Sequence, residues 1–205
     1  MKRVADPIRK TDGQHSYGEY RTWPEDERWE LIDGVAWDMS AAPARQHQGI
    51  VAAIASAFYS ALRDHPCQVY PAPFDVLLPG GGETEDDDVT TVVQPDVSVF
   101  CDESRLTRAG ARGAPTLAVE ILSPSTASKD IRIKRDLYER HRVLEYWIVD
   151  PGNRYIAVYL LDDDGRYGEP RVYETTRASE SILSPSAPPL ARAGVRIDLG
   201  EIFRL

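Results

Sequence analysis

The stretch Leu117-Ala118-Val119-Glu120-Ile121-Leu122-Ser123-Pro124 decides how this chain is read. It is a short apolar run closed by a proline, the pattern of a buried strand. Glu120 interrupts it. Side chains alternate across a strand, so Leu117, Val119 and Ile121 face one way, and Ala118, Glu120 and Leu122 the other. A carboxylate inside such a strand costs on the order of several kcal/mol unless something pairs with it. Upstream, Gln94-Pro95-Asp96 opens a second apolar run, Val97-Ser98-Val99-Phe100, and sets another acid at a strand start. Two acids on consecutive strands imply a cation between them, and an all-oxygen donor set implies a hard divalent ion.

The segment after Pro124 supplies the third element. Asp130, Lys134 and Tyr138 recur every four residues on an expected helix and share one face of it. If that face turns toward the Glu120 end of the sheet, Lys134 brings an ammonium to the two acids. On the strand itself a lysine at position 122 would stand beside Glu120, but the residue there is Leu122.

Around this core the chain reads as alternating elements. Trp29 to Met39 is a hairpin turning at Asp33-Gly34. A long helix runs from His47 to about Asp64, with Ile50, Val51, Ile54, Phe58, Ala61 and Leu62 on one stripe. Strands follow over Cys67–Leu78, Val92–Cys101 and Pro115–Leu122. A helix capped by Thr126 or Ser128 then reaches about Arg142. Glu145–Pro151 is a compact strand with Tyr146 and Trp147 in the core. Tyr155–Leu161 and Arg166–Glu174 form another hairpin, Ser184–Pro189 is a loop, and Val195–Phe203 ends in a strand and a helical turn. The fold class is therefore mixed α/β, with β additions at both ends.

The 205 residues, 42% hydrophobic and 28% charged, suit one soluble domain, 19–205, behind a polar segment, 1–18, expected to be loose. No apolar stretch approaches the roughly 18 residues of a membrane span, and the start has no secretory pattern. Cys67 and Cys101 lack metal-type spacing and are expected as separate, buried, reduced thiols, which together with the rest points to the cytoplasm. The net charge of −9 argues against a protein that coats nucleic acid, though not against an enzyme that meets phosphate through a metal.

Taken together, Gln94-Pro95-Asp96, Val119-Glu120-Ile121-Leu122-Ser123-Pro124-Ser125-Thr126, Asp130…Lys134…Tyr138 and Glu145-Tyr146-Trp147-Ile148-Val149-Asp150-Pro151 resemble the Uma-type restriction endonuclease family of the PD-(D/E)XK phosphodiesterase superfamily. Trp29-Glu30-Leu31-Ile32-Asp33-Gly34 and His47 also match, and the likeness covers roughly residues 20 to 203. It implies a restriction-endonuclease-like core with a mixed central sheet flanked by helices. It implies Mg2+, or Mn2+ in its place, and hydrolysis of nucleic-acid phosphodiesters, DNA in the first instance. Asp96 and Glu120 would bind the metal, Lys134 would stand for a lysine moved from strand to helix, and Glu30 matches an acid found near such sites. Leu122 is the departure from the superfamily pattern. A homodimer is expected, because a single-domain cutter of duplex needs two sites.

Plainer readings stand beside these. Asp96 can serve as a turn residue, and Glu120 as a buried ion-pair partner. Lys134 can be a surface lysine paired to Asp130, Glu30 an ordinary hairpin carboxylate, and His47 a capping or packing residue. Gln94 can bond backbone rather than a metal-bound water. Glu85–Asp88 reads as a solvated loop, and Asp162-Asp163-Asp164-Gly165 as a hairpin turn without calcium-loop spacing. Gly80-Gly81-Gly82 lacks the rest of a phosphate loop. The serines of 123–125 have no partnered histidine. The alternative to an endonuclease is a non-catalytic, dimeric module of the same fold that binds metal or nucleic acid.

Overall fold

Two six-stranded sheets meet where the chain passes from one to the other at Gln94-Pro95-Asp96. The computed structural model describes residues 9–10, 13–39, 44–124, 127–175 and 182–204. In spatial order the first sheet holds Arg9–Lys10 (β1), Val35–Asp38 (β3), Trp29–Ile32 (β2), Val92–Val93 (β6), Asp75–Leu77 (β5) and Gly110–Arg112 (β8). The second holds Arg171–Glu174 (β12), Tyr155–Leu160 (β11), Glu145–Asp150 (β10), Leu117–Ile121 (β9), Val97–Phe100 (β7) and Gln68–Pro71 (β4). Pairing is antiparallel except for β9 with β10 and β5 with β8, so both sheets are mixed, as expected. A small ribbon joins Ile182–Leu183 (β13) to Ile197–Asp198 (β14).

The helices are short apart from one. Tyr17–Tyr20 (α1) and Leu199–Ile202 (α4) are single turns, while Arg45–Ala61 (α2) runs 17 residues. Its buried stripe, Ile50, Val51, Ile54 and Phe58, is the one the sequence spacing gives, and the Phe58 ring packs against Trp147 of β10. Each such side chain contributes about 1.5–3 kcal/mol on burial. The same core takes Leu117, Val119 and Ile121 from β9. The opposite face of β9 turns Ala118 and Leu122 to a second core built on Tyr138, Tyr146 and Ile148. Glu120 therefore faces the helix that follows it, α3 (Arg135–Arg140).

The hairpin turn Asp33-Gly34 is as read. Both residues have positive φ, 49° and 78°, which suits a tight two-residue connection. Four other expectations are corrected. The strand over 67–78 is broken into β4 and β5 at Pro71-Ala72-Pro73, because proline cannot donate to a ladder. Residues 9–10 pair with β3, and Tyr17 is buried, so part of the segment read as loose packs on the domain. Ser128 makes no capping bond and already has helical dihedrals, and Thr126 lies outside the described residues. Before α3 the backbone takes a π-helical turn over Lys129–Lys134.

The cysteines also depart from expectation. Cys67 and Cys101 form a disulfide and are not separate thiols. Gln68 pairs with Phe100 in the β4–β7 ladder, so one step further the antiparallel register brings the two cysteines opposite each other. Their separation of 34 residues hides this in the sequence. The thiol argument for a reducing compartment falls with it. Among the described residues no helix is long and apolar enough to cross a membrane.

Candidate active site

The crossing at Gln94-Pro95-Asp96 delivers Asp96 to the end of β9. Its Oδ2 accepts the Ile121 amide at 2.7 Å, and His47 Nε2, near the start of α2, lies 3.2 Å from the same oxygen. Asp96 thus bonds the residue next to Glu120. Both Asp96 and His47 keep some solvent access, at 16% and 14% of their side-chain surfaces.

Glu120 is more enclosed. Its Oε1 accepts both the Lys134 ammonium and the Tyr138 hydroxyl, each at 2.7 Å. The helix face proposed from the four-residue spacing does turn to the sheet. Leu122 is not in the way, because it packs against the core built on Tyr138 and Tyr146.

Glu30, on β2 of the first sheet, reaches the same place from the other side. Its Oε1 accepts the Gln94 amide at 2.8 Å and lies 2.7 Å from Lys134 Nζ. Its Oε2 accepts from Lys129 Nζ at 2.7 Å. The result is a buried chain of alternating charge, Lys129–Glu30–Lys134–Glu120, with no member more than 5% exposed. Asp130 is also buried, with Oδ1 4.0 Å from Lys134 Nζ, beyond a hydrogen bond. Glu30 is thus not an exposed hairpin carboxylate, and Lys134 is not a surface lysine. Gln94 bonds backbone to Glu30, while its side chain accepts from Arg28 and donates to Asp75.

Sequence spacing missed Lys129. An α-helix brings together residues three or four apart. A π turn closes i→i+5, and Lys129 and Lys134 are five apart. Both therefore reach Glu30. Tyr146, expected as plain core, donates its hydroxyl to the Asp130 carbonyl and so ties the π turn to β10.

The charges divide unequally. Burial pushes the Glu30 carboxyl up, but the ammoniums of Lys129 and Lys134 outweigh it and hold the group at about 2. Burial pushes Glu120 up as well. Lys134 opposes this, while Asp130, Asp96 and Glu30 add to it, and the carboxyl ends well above its ordinary range. Lys134 is raised, because Glu120, Glu30 and Asp130 outweigh its desolvation. Burial lowers His47, but Asp96 more than reverses this, so its imidazole is raised.

The donor set fits a hard divalent ion. Among the described residues Asp96 Oδ1 and Glu120 Oε2 carry no hydrogen bond, and Glu120 sits in an excess of negative charge that a cation would relieve. No three His, Cys, Asp or Glu side chains are gathered into a ready-made cage among the described residues. A cation there would rest on Asp96 and Glu120 with water completing its shell, as Mg2+ ordinarily does. His47 Nδ1 is buried without a hydrogen-bond partner among the described residues.

With this geometry in place, comparison with known proteins is informative. The family model described as "Uma2: Putative restriction endonuclease" matches residues 17–192. The chain belongs to the Uma2 family. That span contains Glu30, Asp96, Glu120, Lys129 and Lys134. A Synechocystis sp. protein carrying the name "Uncharacterized protein slr1290" is 30% identical over 150 residues, 72% of this chain and 74% of its own length. A crystal structure from Anabaena variabilis, titled a "putative nuclease belonging to DUF820", superposes with a TM-score of 0.69 at 20% identity. The match covers 92% of this chain and 97% of that one. At that identity the likeness carries the fold, which is that of the Uma2 reading.

Proposed function

We propose that this chain is a metal-dependent endonuclease that hydrolyses nucleic-acid phosphodiesters, with Mg2+ as the cofactor. The observation that carries the reading is the convergence of an acid from the crossing before β7, an acid on β9 and a helix-borne ammonium where the two sheets meet: Asp96 on the Ile121 amide, Glu120 beside it, and Lys134 on Glu120. When bound, a divalent ion supplies Lewis-acid polarisation of a phosphate oxygen and acidifies water. The chain's own groups do the rest. Asp96 is fixed by the Ile121 amide and His47, so its remaining oxygen is aimed without further ordering. Tyr138 and Lys134 hold Glu120 Oε1, so that Oε2 would be the oxygen left to hold the ion. An ammonium has three donors. Lys134 spends two on Glu30 and Glu120, and the third is left for charge developing on the phosphoryl oxygens. A bond forms between water oxygen and phosphorus as that water gives up a proton to solvent, the bond from phosphorus to the departing nucleotide oxygen breaks, and that oxygen takes a proton from solvent.

The test is cleavage of supercoiled and linear DNA and of structured RNA with Mg2+ or Mn2+. Asp96→Ala and Glu120→Ala should each reduce cutting by at least about 100-fold while thermal unfolding stays cooperative. Full Mg2+-dependent cutting by both variants would refute the assignment.

A second reading, binding without turnover by a dimeric module, draws on one observation: Lys134 is only 1% exposed. Calorimetry with Mg2+ beside the cleavage assays separates the two, because binding without turnover on every substrate favours the module. Sedimentation measures whether two chains associate.

A further inference from the structure

We propose that Lys129 is a positioning residue that sets how far Glu30 draws Lys134 away from Glu120, and so tunes the ammonium offered to the phosphate and the grip of Glu120 on its cation. The inference rests on the proposed endonuclease reading only for its catalytic consequence. The sharing of charge itself is geometric.

Lys134 Nζ stands 2.7 Å from a carboxylate oxygen on each side, Glu30 Oε1 and Glu120 Oε1. Its position is a balance between two attractions of similar length. Glu30 would win that balance if Lys134 were its only cation. It is not, because Lys129 Nζ holds the other oxygen at 2.7 Å, and the Gln94 amide bonds Oε1. Lys129 thus draws off part of the negative charge that would otherwise fall on Lys134. Lys129 and Glu30 are 1% and 0% exposed, so water does not screen the exchange. The π turn is what brings Lys129 to Glu30. On an α-helix its side chain would not share a face with that of Lys134, five residues on.

The two sides of the balance give opposite outcomes. Lys129→Met leaves Glu30 with one ammonium, which moves toward it. Glu120 loses a competing cation and binds Mg2+ more tightly, several-fold in Kd, while kcat falls about tenfold because Lys134 has withdrawn. Glu30→Gln releases Lys134 to Glu120 and weakens Mg2+ binding by a similar factor. A purely structural role for Lys129 and Glu30 would loosen the site in both variants and weaken Mg2+ binding in both. Lys129→Arg keeps the charge and should restore the wild-type Mg2+ affinity.

A second readout does not depend on metal or substrate. In protein labelled with 15N at lysine, the Lys134 ammonium signal, assigned by its loss in Lys134→Met, should move in Lys129→Met and remain near its wild-type position in Lys129→Arg. An unmoved signal in Lys129→Met overturns the inference, and so do Mg2+ shifts of the same sign in Lys129→Met and Glu30→Gln. If Lys129→Met does not fold, the comparison of Lys129→Arg with Glu30→Gln decides: a Lys134 signal and Mg2+ affinity unchanged in the first and moved in the second support it, and equal changes in both overturn it. Wild-type protein that binds no Mg2+ and cuts nothing, but whose Lys134 signal responds as stated, would refute the endonuclease reading and leave this inference standing.

Discussion

The helical segment from Lys129 to Arg140 is charged on two sides. Toward the sheets, Lys129 and Lys134 meet Glu30 and Glu120 at 2.7 Å, and no partner is more than 5% exposed. Toward solvent, Arg135 pairs with Asp136 at 2.8 Å and Arg166 with Glu139 at 3.1 Å, with Asp136 71% and Arg166 77% exposed. A cleft of about 650 Å3 opens on that outer side, lined by Arg135, Arg140, Arg142 and Arg166 among others. Neither Asp96 nor Glu120 lines it, so this cleft is not where the acids converge. Both sides pair a base with an acid at similar distances, lysine with glutamate inside and arginine with aspartate or glutamate outside. What differs is water. Outside, solvent screens each pair and side-chain entropy opposes it, so a pair contributes about 0–1 kcal/mol. Inside, each charge has lost its hydration, and removing one partner leaves another buried and uncompensated.

The sharpest way to break this contrast is Glu30→Ala, which strands the Lys129 ammonium in the interior and leaves Lys134 with Glu120 alone. It should destabilise the fold by about 3–5 kcal/mol in urea denaturation. A loss as small as that of an outer variant would mean that water reaches the inner chain.

Acid should act on the inner side next. Glu30 is held at about 2 against an ordinary 4.5. A carboxyl lowered on folding contributes stability that is complete above its unfolded value and drains as pH falls toward its folded one. Stability should therefore drop between about pH 4.5 and 2. Glu30→Gln, which has no charge to lose, should flatten that part of the curve measured by chemical denaturation. An unchanged slope would assign the acid sensitivity to other carboxylates.

A smaller effect is expected on the outer side at Gly165, whose φ of 77° suits glycine and where a Cβ would collide with the Arg142 guanidinium. Gly165→Ala should cost about 1 kcal/mol, seen as a lower midpoint in urea. The smallest effects belong to Asp136→Ala and Arg166→Ala, each within about 0.5 kcal/mol. A change above about 2 kcal/mol from either would erase the distinction between the two sides.

Much of the inner side was legible in the residues alone. Alternation in 117–122 sets Glu120 opposite Leu117, Val119 and Ile121, and four-residue spacing puts Lys134 and Tyr138 on one face. Both follow from local periodicity, and Tyr138 and Lys134 do meet Glu120. Lys129 was not legible, because its role needs a π turn, and no short-range pattern in 127–134 announces one. The disulfide was not legible either, because it depends on the register of β4 against β7. Glu30 could be singled out as a matching acid, but its shared bonds to two lysines depend on the first sheet meeting the second.

The sequence by itself determined most of the elements, their burial faces and the candidates Asp96, Glu120 and Lys134, because each follows from the repeat of a strand or a helix and from the cost of burying charge. Tertiary structure decided which charges share partners. Lys129 joins the chain, Glu30 divides its carboxylate between two ammoniums, and His47 meets Asp96. The physical reason is range. Periodicity acts over a few residues, whereas a buried ion pair is fixed by where distant segments are held together, here the 99 residues separating Glu30 from Lys129.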